Sequence, residues 1–185
     1  VVLEAKARGY YDSRVQATIG GTAVNSDGRK SASMAAPNGP SQAKLIRWAS
    51  QNVGFERFAV EAHATGTAMG DPIEVGALRQ AFEVHNNSLS TLILGAKSSR
   101  FGHTEGSAGL VGLLKVLLSL AETMIGPNLH FQTANPLLDL DGFCVMLPAQ
   151  TTQQSVYESA TALSSVHVYS MSGTNAHAVI QGDTH

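Results

Sequence analysis

The chain has 185 residues, 43% of them hydrophobic and 14% charged, with a formal net charge of −2. That length is enough to bury the core of one domain, and the hydrophobic fraction excludes a disordered chain. The absence of a basic block argues against nucleic acid as a partner, and the longest apolar run, 108–120, is interrupted by Lys115 and too short for a membrane span.

Val1-Val2-Leu3-Glu4 reads as strand and carries no charged leader, which predicts a cytoplasmic setting. Residues 15–24 are rich in β-branched and small side chains and predict a strand, followed by the turn chemistry of Asn25-Ser26-Asp27-Gly28. Ala36-Pro37-Asn38-Gly39 leads to Pro40, which suits the first turn of a helix reaching about residue 52. Ala43, Leu45, Ile46 and Ala49 give that helix an apolar side, with Lys44 and Arg47 outward. Residues 58–62 predict a strand. Asp71-Pro72-Ile73-Glu74 then opens a second helix, with Asp71 able to cap, Pro72 suited to the first position and Glu74 placed as in a capping box, running to about His85.

Residues 91–96 predict an apolar strand and 104–122 a long helix. Leucines and valines surround nearly the whole circumference of that helix, so it must be covered on all sides. Gly106, Gly109 and Gly112 leave a bare backbone stripe, read as the approach face of another helix. Residues 126–141 read mainly as loop, and 143–147, near 162–169, and 178–181 as strands. Cys144, the one cysteine, is read as a small buried residue of the 143–147 strand with nothing nearby to activate it; a lone cysteine excludes an internal disulfide and suits a reducing compartment. Strands alternating with helices predict an α/β class with a mixed sheet.

Three segments place polar or titratable groups beside apolar strands: Glu61-Ala62-His63-Ala64-Thr65-Gly66-Thr67, Gly102-His103-Thr104-Glu105 and Gly173-Thr174-Asn175-Ala176-His177. Open α/β sheets build sites at such junctions. Two imidazole N–H groups converging on one carbonyl would stabilise a developing enolate as an oxyanion hole does. Each segment alone is weak, since a single histidine at a strand end is more often structural. No histidine pair has zinc spacing with a third ligand, so no metal is expected.

Taken in order, the segments resemble the ketosynthase (β-ketoacyl synthase) domains of type I polyketide and fatty-acid synthases. The family pattern Val-Glu-Ala-His-Gly-Thr-Gly-Thr followed by Gly-Asp-Pro-Ile-Glu is matched by residues 60–67 and 70–74, with Ala64 where glycine is usual. Ala23-Val24-Asn25, Asp27-Gly28-Arg29, residues 36–42, Pro127-Asn128-Leu129-His130-Phe131, Asn135-Pro136 and Gly173–His177 extend the likeness over nearly the whole chain. The resemblance implies the C-terminal half of the thiolase-like fold, an α-β-α-β-α sandwich, with a mixed β-sheet and helices on both faces. It implies that an N-terminal half carrying the nucleophilic cysteine is absent from residues 1–185, and that the leucine-rich helix belongs to a central helical layer. It also implies a decarboxylative Claisen condensation of an acyl thioester with a malonyl-type extender on acyl carrier protein.

By the same resemblance His63 and His103 are catalytic, with Lys97 as the family lysine, or Ser98 in an unshifted alignment. Thr65 and Thr67 line the phosphopantetheine channel, and Met171 and Asn175 are further substrate-binding positions. Glu105 is supporting, His177 structural, and the 169–173 loop supplies a backbone N–H to a second oxyanion hole. No cofactor is expected to bind directly; the phosphopantetheine arm of acyl carrier protein is the substrate carrier. The partners implied are the N-terminal half, acyl carrier protein and a second copy in a homodimer, with no nucleic acid and no membrane.

Three features depart from the family: the missing cysteine segment, Ser170 and Met171 where a glycine and a gating aromatic are usual, and the shifted lysine. They keep open a non-catalytic scaffold or interaction module. A thiolase-like coenzyme A-dependent enzyme shares the fold, but the His-Ala-Thr-Gly-Thr stretch disfavours it.

Overall fold

A computed structural model describes residues 17–28, 36–53, 58–82, 91–153 and 162–182. The expected strand at 1–4 and the second helix's end at His85 lie outside them. The elements run β1 (Ala17–Ser26), α1 (Gly39–Ala49), β2 (Phe58–Ala62), α2 (Gly70–Phe82), β3 (Leu92–Ala96), a one-turn α3 (Ser98–Phe101), α4 (Ala108–Ala121), β4 (Met124–Ile125), β5 (Val145–Met146), β6 (Thr152–Gln153), β7 (Leu163–Tyr169) and β8 (Thr174–Gly182). A six-stranded sheet has the order β1-β8-β7-β2-β3-β5, and β4 pairs with β6 apart from it. The pairs β7–β2, β2–β3 and β3–β5 are parallel, while β1–β8 and β8–β7 are antiparallel.

Alternation along the strands divides the core in two. Val60, Leu94, Leu163 and Val179 face α1 and α2, where they meet Ile46, Ala49, Val75 and Leu78. Val166 and Ile180 face the other way, onto Val116 and Leu120 of α4. The chain is therefore an α/β unit with a mixed sheet and helices on both faces, as the residue pattern predicts. Asn38 caps α1, its side chain accepting from Ser41 N–H at 3.2 Å, with Pro40 in the first turn. Gly21 allows β1 to press against the C-terminal end of α1: a Cβ there would meet the Ala49 carbonyl at 1.9 Å.

Several expectations are corrected. The long helix begins at Ala108, not 104, because Glu105–Ser107 form a 3-10 turn entered from Glu105 at φ +48°. Gly109 and Gly112 face the chain's own sheet rather than a foreign helix, while Gly106, in the 3-10 turn, has open space where a Cβ would stand. A Cβ on Gly109 would meet Val168 at 2.9 Å, and one on Gly112 would meet Val166 at 2.6 Å. The side of α4 facing away from the sheet carries Leu110, Leu114 and Leu118, which are 54%, 42% and 65% exposed. Cys144 is exposed, not buried, because it precedes the two-residue edge strand β5; its thiol lies 3.5 Å from Thr91 Oγ1. The last strand is longer than 178–181 and begins at Thr174. No helix among the described residues is long and apolar enough to cross a membrane.

Candidate active site

The parallel strands β2, β3 and β7 end on one edge of the sheet. The antiparallel partners bring the start of β8 and the end of β1 to that same edge, with Tyr169 opposite Asn175 and Ser26 opposite Thr174. All three polar segments thus meet there. The third is the start of a strand rather than a loop beyond one, so its place at this edge comes from antiparallel pairing.

His63 follows β2 directly and is buried. The His63 and His103 rings lie 5.1 Å apart, nearly perpendicular at 88°. His103 is exposed, in the segment after α3, with Gly102 at φ +69° making the bend. The Tyr169 ring meets His63 edge-on at 5.9 Å. Burial is the main cause that lowers the His63 pKa from 6.5 to about 4; Glu74 opposes it, and Lys97, His103 and His167 add to it. At neutral pH His63 is an uncharged imidazole, able to donate one N–H.

Lys97 is only 1% exposed. Its Nζ donates to the carbonyls of Ala62 at 2.7 Å and His63 at 3.3 Å. The strand ends at Ala96 and Lys97 already has helical backbone, φ −55° and ψ −33°, so strand alternation no longer dictates where it points. Ser98 Oγ reaches the same His63 carbonyl at 3.3 Å, so both candidates touch this residue and only the lysine brings a buried charge. Burial lowers the Lys97 pKa, against the pull of Glu61 and Glu74; Lys115 lowers it further. Glu61, buried on β2, is paired with Lys115 of α4 at 2.5 Å.

Glu74 does not complete a capping box. Its Oε1 accepts from His63 N–H at 2.7 Å and its Oε2 from Ala64 N–H at 2.9 Å. Asp71 likewise turns back, accepting from Gly66 N–H at 3.1 Å, and Thr67 Oγ1 instead accepts from Gly70 N–H at 3.0 Å at the helix start. The 63–67 loop is therefore held from α2. It bends at Ala64, φ +43°, and Gly66, φ +75°. Thr65 and Thr67 sit together, their hydroxyls 3.2 Å apart, at the solvent side of the loop. Glu105 is exposed, in the 3-10 turn after His103.

Asn175 is fully buried and holds together the loops beside the site. Its amide donates to Asn25 Oδ1 at 3.1 Å and Asp27 Oδ1 at 2.7 Å. With Asp27 N–H bound to the Gly173 carbonyl at 2.8 Å, it ties the β1 turn to the loop before β8. Within that loop the amides of Ser170, Ser172 and Gly173 are engaged, and Met171 at the tip is 85% exposed. His177 is buried, and burial lowers its pKa well below 6.5, with His167 adding to the effect.

Two groups in the site, one buried and one half-buried, were not legible beforehand. His167 on β7 places Nε2 2.5 Å from Glu74 Oε1. Burial would raise the Glu74 pKa, but His167 and the two backbone N–H groups outweigh it and hold the carboxylate below its usual range. Lys115 is the other. Strand periodicity marks the face His167 occupies, but nothing in spacing alone pairs it with Glu74.

Residues 16–132 match the family model described as beta-ketoacyl synthase, C-terminal domain, and the chain belongs to that family. It is 38% identical over 181 residues to erythronolide synthase EryA2 of Saccharopolyspora erythraea, covering 96% of this chain and 5% of that protein. Identity is 36% over 177 residues with the PKS-NRPS hybrid synthetase ATPKS of Aspergillus niger, covering 92% and 10%. The oxazolomycin ketosynthase domain OzmH KS7 of Streptomyces albus JA3453 superposes with a TM-score of 0.84 at 31% identity, over 91% of this chain and 30% of that one. The ketosynthase from module 6 of the bacillaene synthase of Bacillus subtilis 168 does so equally, at 0.84 and 31%, over 91% and 31%. The fold is thus that of the ketosynthases, and the chain spans under a third of each of these relatives.

Proposed function

We propose that this chain supplies the decarboxylation and enolate-binding groups of a β-ketoacyl synthase, an acyltransferase that extends an acyl thioester with a malonyl-type unit. The observation that carries the reading is the meeting of His63 and His103, rings 5.1 Å apart, over the buried Lys97. The extender is held on the phosphopantetheine arm of acyl carrier protein, passing Thr65 and Thr67. The bond to its carboxyl carbon breaks, carbon dioxide leaves, and the electron pair moves into an enolate. N–H groups of His63 and His103 bind the enolate oxygen. The enolate carbon attacks the acyl thioester on a cysteine of the N-terminal half; the tetrahedral intermediate collapses and the cysteine thiolate leaves. The neutral state of His63 suits this role, since a hydrogen-bond donor is needed there and a proton donor is not. The N-terminal half covers the leucine side of α4, and the complete domain is a homodimer.

The test joins this chain to a cysteine-bearing N-terminal half and follows carbon dioxide release from malonyl carrier protein. His63→Ala should abolish release while the far-UV circular dichroism spectrum stays unchanged; release at the wild-type rate sinks the reading. The chain alone, mixed with an acyl thioester, should show no stoichiometric acylation of Cys144 by intact mass.

A further inference from the structure

We propose that His167 is a positioning residue for His63, acting through Glu74 on the backbone turn that aims the His63 imidazole. The proposal rests on the role of His63 given above. The Glu74 carboxylate sets the turn: it binds the N–H groups of both His63 and Ala64, so their placement follows the carboxylate. A carboxylate buried this deeply needs a partner beyond two amides. Lys97 attracts it electrostatically but is not its hydrogen-bond partner, since its amine donates to the carbonyls of Ala62 and His63. The side chain in contact is His167, Nε2 to Oε1 at 2.5 Å.

His167 is itself fixed. It is fully buried on β7, stacked on Tyr169 at 5.1 Å and 28°, and tilted against His177, its cross-strand partner, at 5.5 Å. Tyr169 in turn meets the His63 ring edge-on. His167 therefore reaches His63 by two routes, one through the carboxylate to the backbone and one through the tyrosine to the ring. It has no exposed surface and cannot touch substrate, so its effect passes through other groups. The charged and titratable groups facing this cluster are Glu74, Asp71, Asp27, Lys97, His63, His103, Tyr169 and His177.

The experiment uses the full polypeptide joining this chain to a cysteine-bearing N-terminal half, with malonyl carrier protein as probe. It reads kcat and KM for carbon dioxide release, and the titration of the His63 imidazole by nitrogen-15 NMR. His167→Met keeps the volume and removes the donor; His167→Gln keeps a donor. The methionine variant should lose about 30-fold in kcat with KM changed less than about threefold, and the glutamine variant should recover to within about fivefold of wild type. The His63 titration should move in the methionine variant and not in the glutamine one. A methionine variant within about twofold of wild-type kcat, with His63 titrating unchanged, overturns the proposal. Glu74→Gln/His167→Leu leaves no unpaired buried charge and tests the pair even where His167→Met does not fold. Full kcat in that double variant overturns the proposal, and a loss of about 30-fold supports it. A wild type that releases no carbon dioxide defeats the functional reading instead, while the His63 titrations still decide the positioning claim.

Discussion

At the scale of single residues, Ala64 sits where the backbone favours glycine. Its φ of +43° lies in the left-handed region, which costs an L-residue roughly 1–2 kcal/mol. The two amides on Glu74 hold it there. Ala64→Gly should therefore stabilise the folded chain by about 1 kcal/mol, offset in part by the freer unfolded backbone, and urea unfolding measures it. His63 gives a pH prediction. Its folded pKa of about 4 lies below the unfolded 6.5, so the unfolded state binds more protons between those values. Stability is complete above pH 6.5 and is lost as pH falls toward 4. With solvent screening on the open side of the cleft discounted, the loss from this group is about 1–2 kcal/mol. His177 adds to the same acid limb. Stability measured from pH 7 to 4 should fall less steeply in His63→Gln than in wild type; equal slopes would refute the buried neutral imidazole.

At the scale of elements, α4 is attached to the sheet by absence of side chain as much as by presence. Gly112→Ala gains helix propensity of about 1 kcal/mol but places a Cβ against Val166 at 2.6 Å, Lys97 at 3.3 Å and Glu61 at 3.6 Å. Overpacking should win, destabilising by about 1–3 kcal/mol, and the displaced Lys97 should lower turnover in the complete enzyme. Gly106→Ala meets nothing within 4 Å and should leave stability within about 0.5 kcal/mol of wild type. Thermal unfolding of the two variants side by side decides between this reading and glycines kept for a foreign helix.

The glycine stripe also shows where legibility in the sequence stops. Spacing revealed small residues on one side of a helix; it could not tell which surface they meet. Helices α1 and α2 and strands β2 and β3 were readable, because apolar periodicity and turn residues act locally. The meeting of His63 and His103 was suggested by their places beside apolar strands, and Lys97 joined them only through the resemblance. Glu74 looked like a capping residue because the capping-box pattern is local, whereas its partners come from β2 and β7. The start of β8 was missed because Asn175 and His177 are polar, and their burial depends on strands β1 and β7, which lie far away in the chain.

At the scale of the whole molecule, the two faces of the sheet are finished to different degrees. On one side α1 and α2 close over a core of Ile46, Leu78 and Val179. On the other, Leu110, Leu114 and Leu118 form an i, i+4, i+8 stripe that stays open to solvent. A contiguous apolar face of this kind drives association in a soluble chain. Sedimentation velocity of the chain alone should show mass rising with concentration, and Leu114→Lys/Leu118→Glu should restore a monomer. A wild-type monomer over a hundredfold concentration range would contradict a covering layer.

The pairing of β1 with β8 has a consequence for how the chain is made. Ala17 to Ser26 pair with Thr174 to Gly182, and Asn175 reaches Asn25 across 150 positions of sequence. The parallel strand β2 likewise waits for β7. On a ribosome, β1 and one side of β2 therefore emerge with vacant hydrogen-bonding edges and keep them until the last strands of the sheet follow. The sheet closes from its middle only once β7 and β8 have emerged, so early folding leans on the local contacts of α1 and α2, and ordering of the whole sheet is slow. During that interval the strand edges are the surfaces most in need of chaperone protection. Stalling translation before residue 163 should leave β1 exposed to protease, while completing the final strands should protect it together with β8.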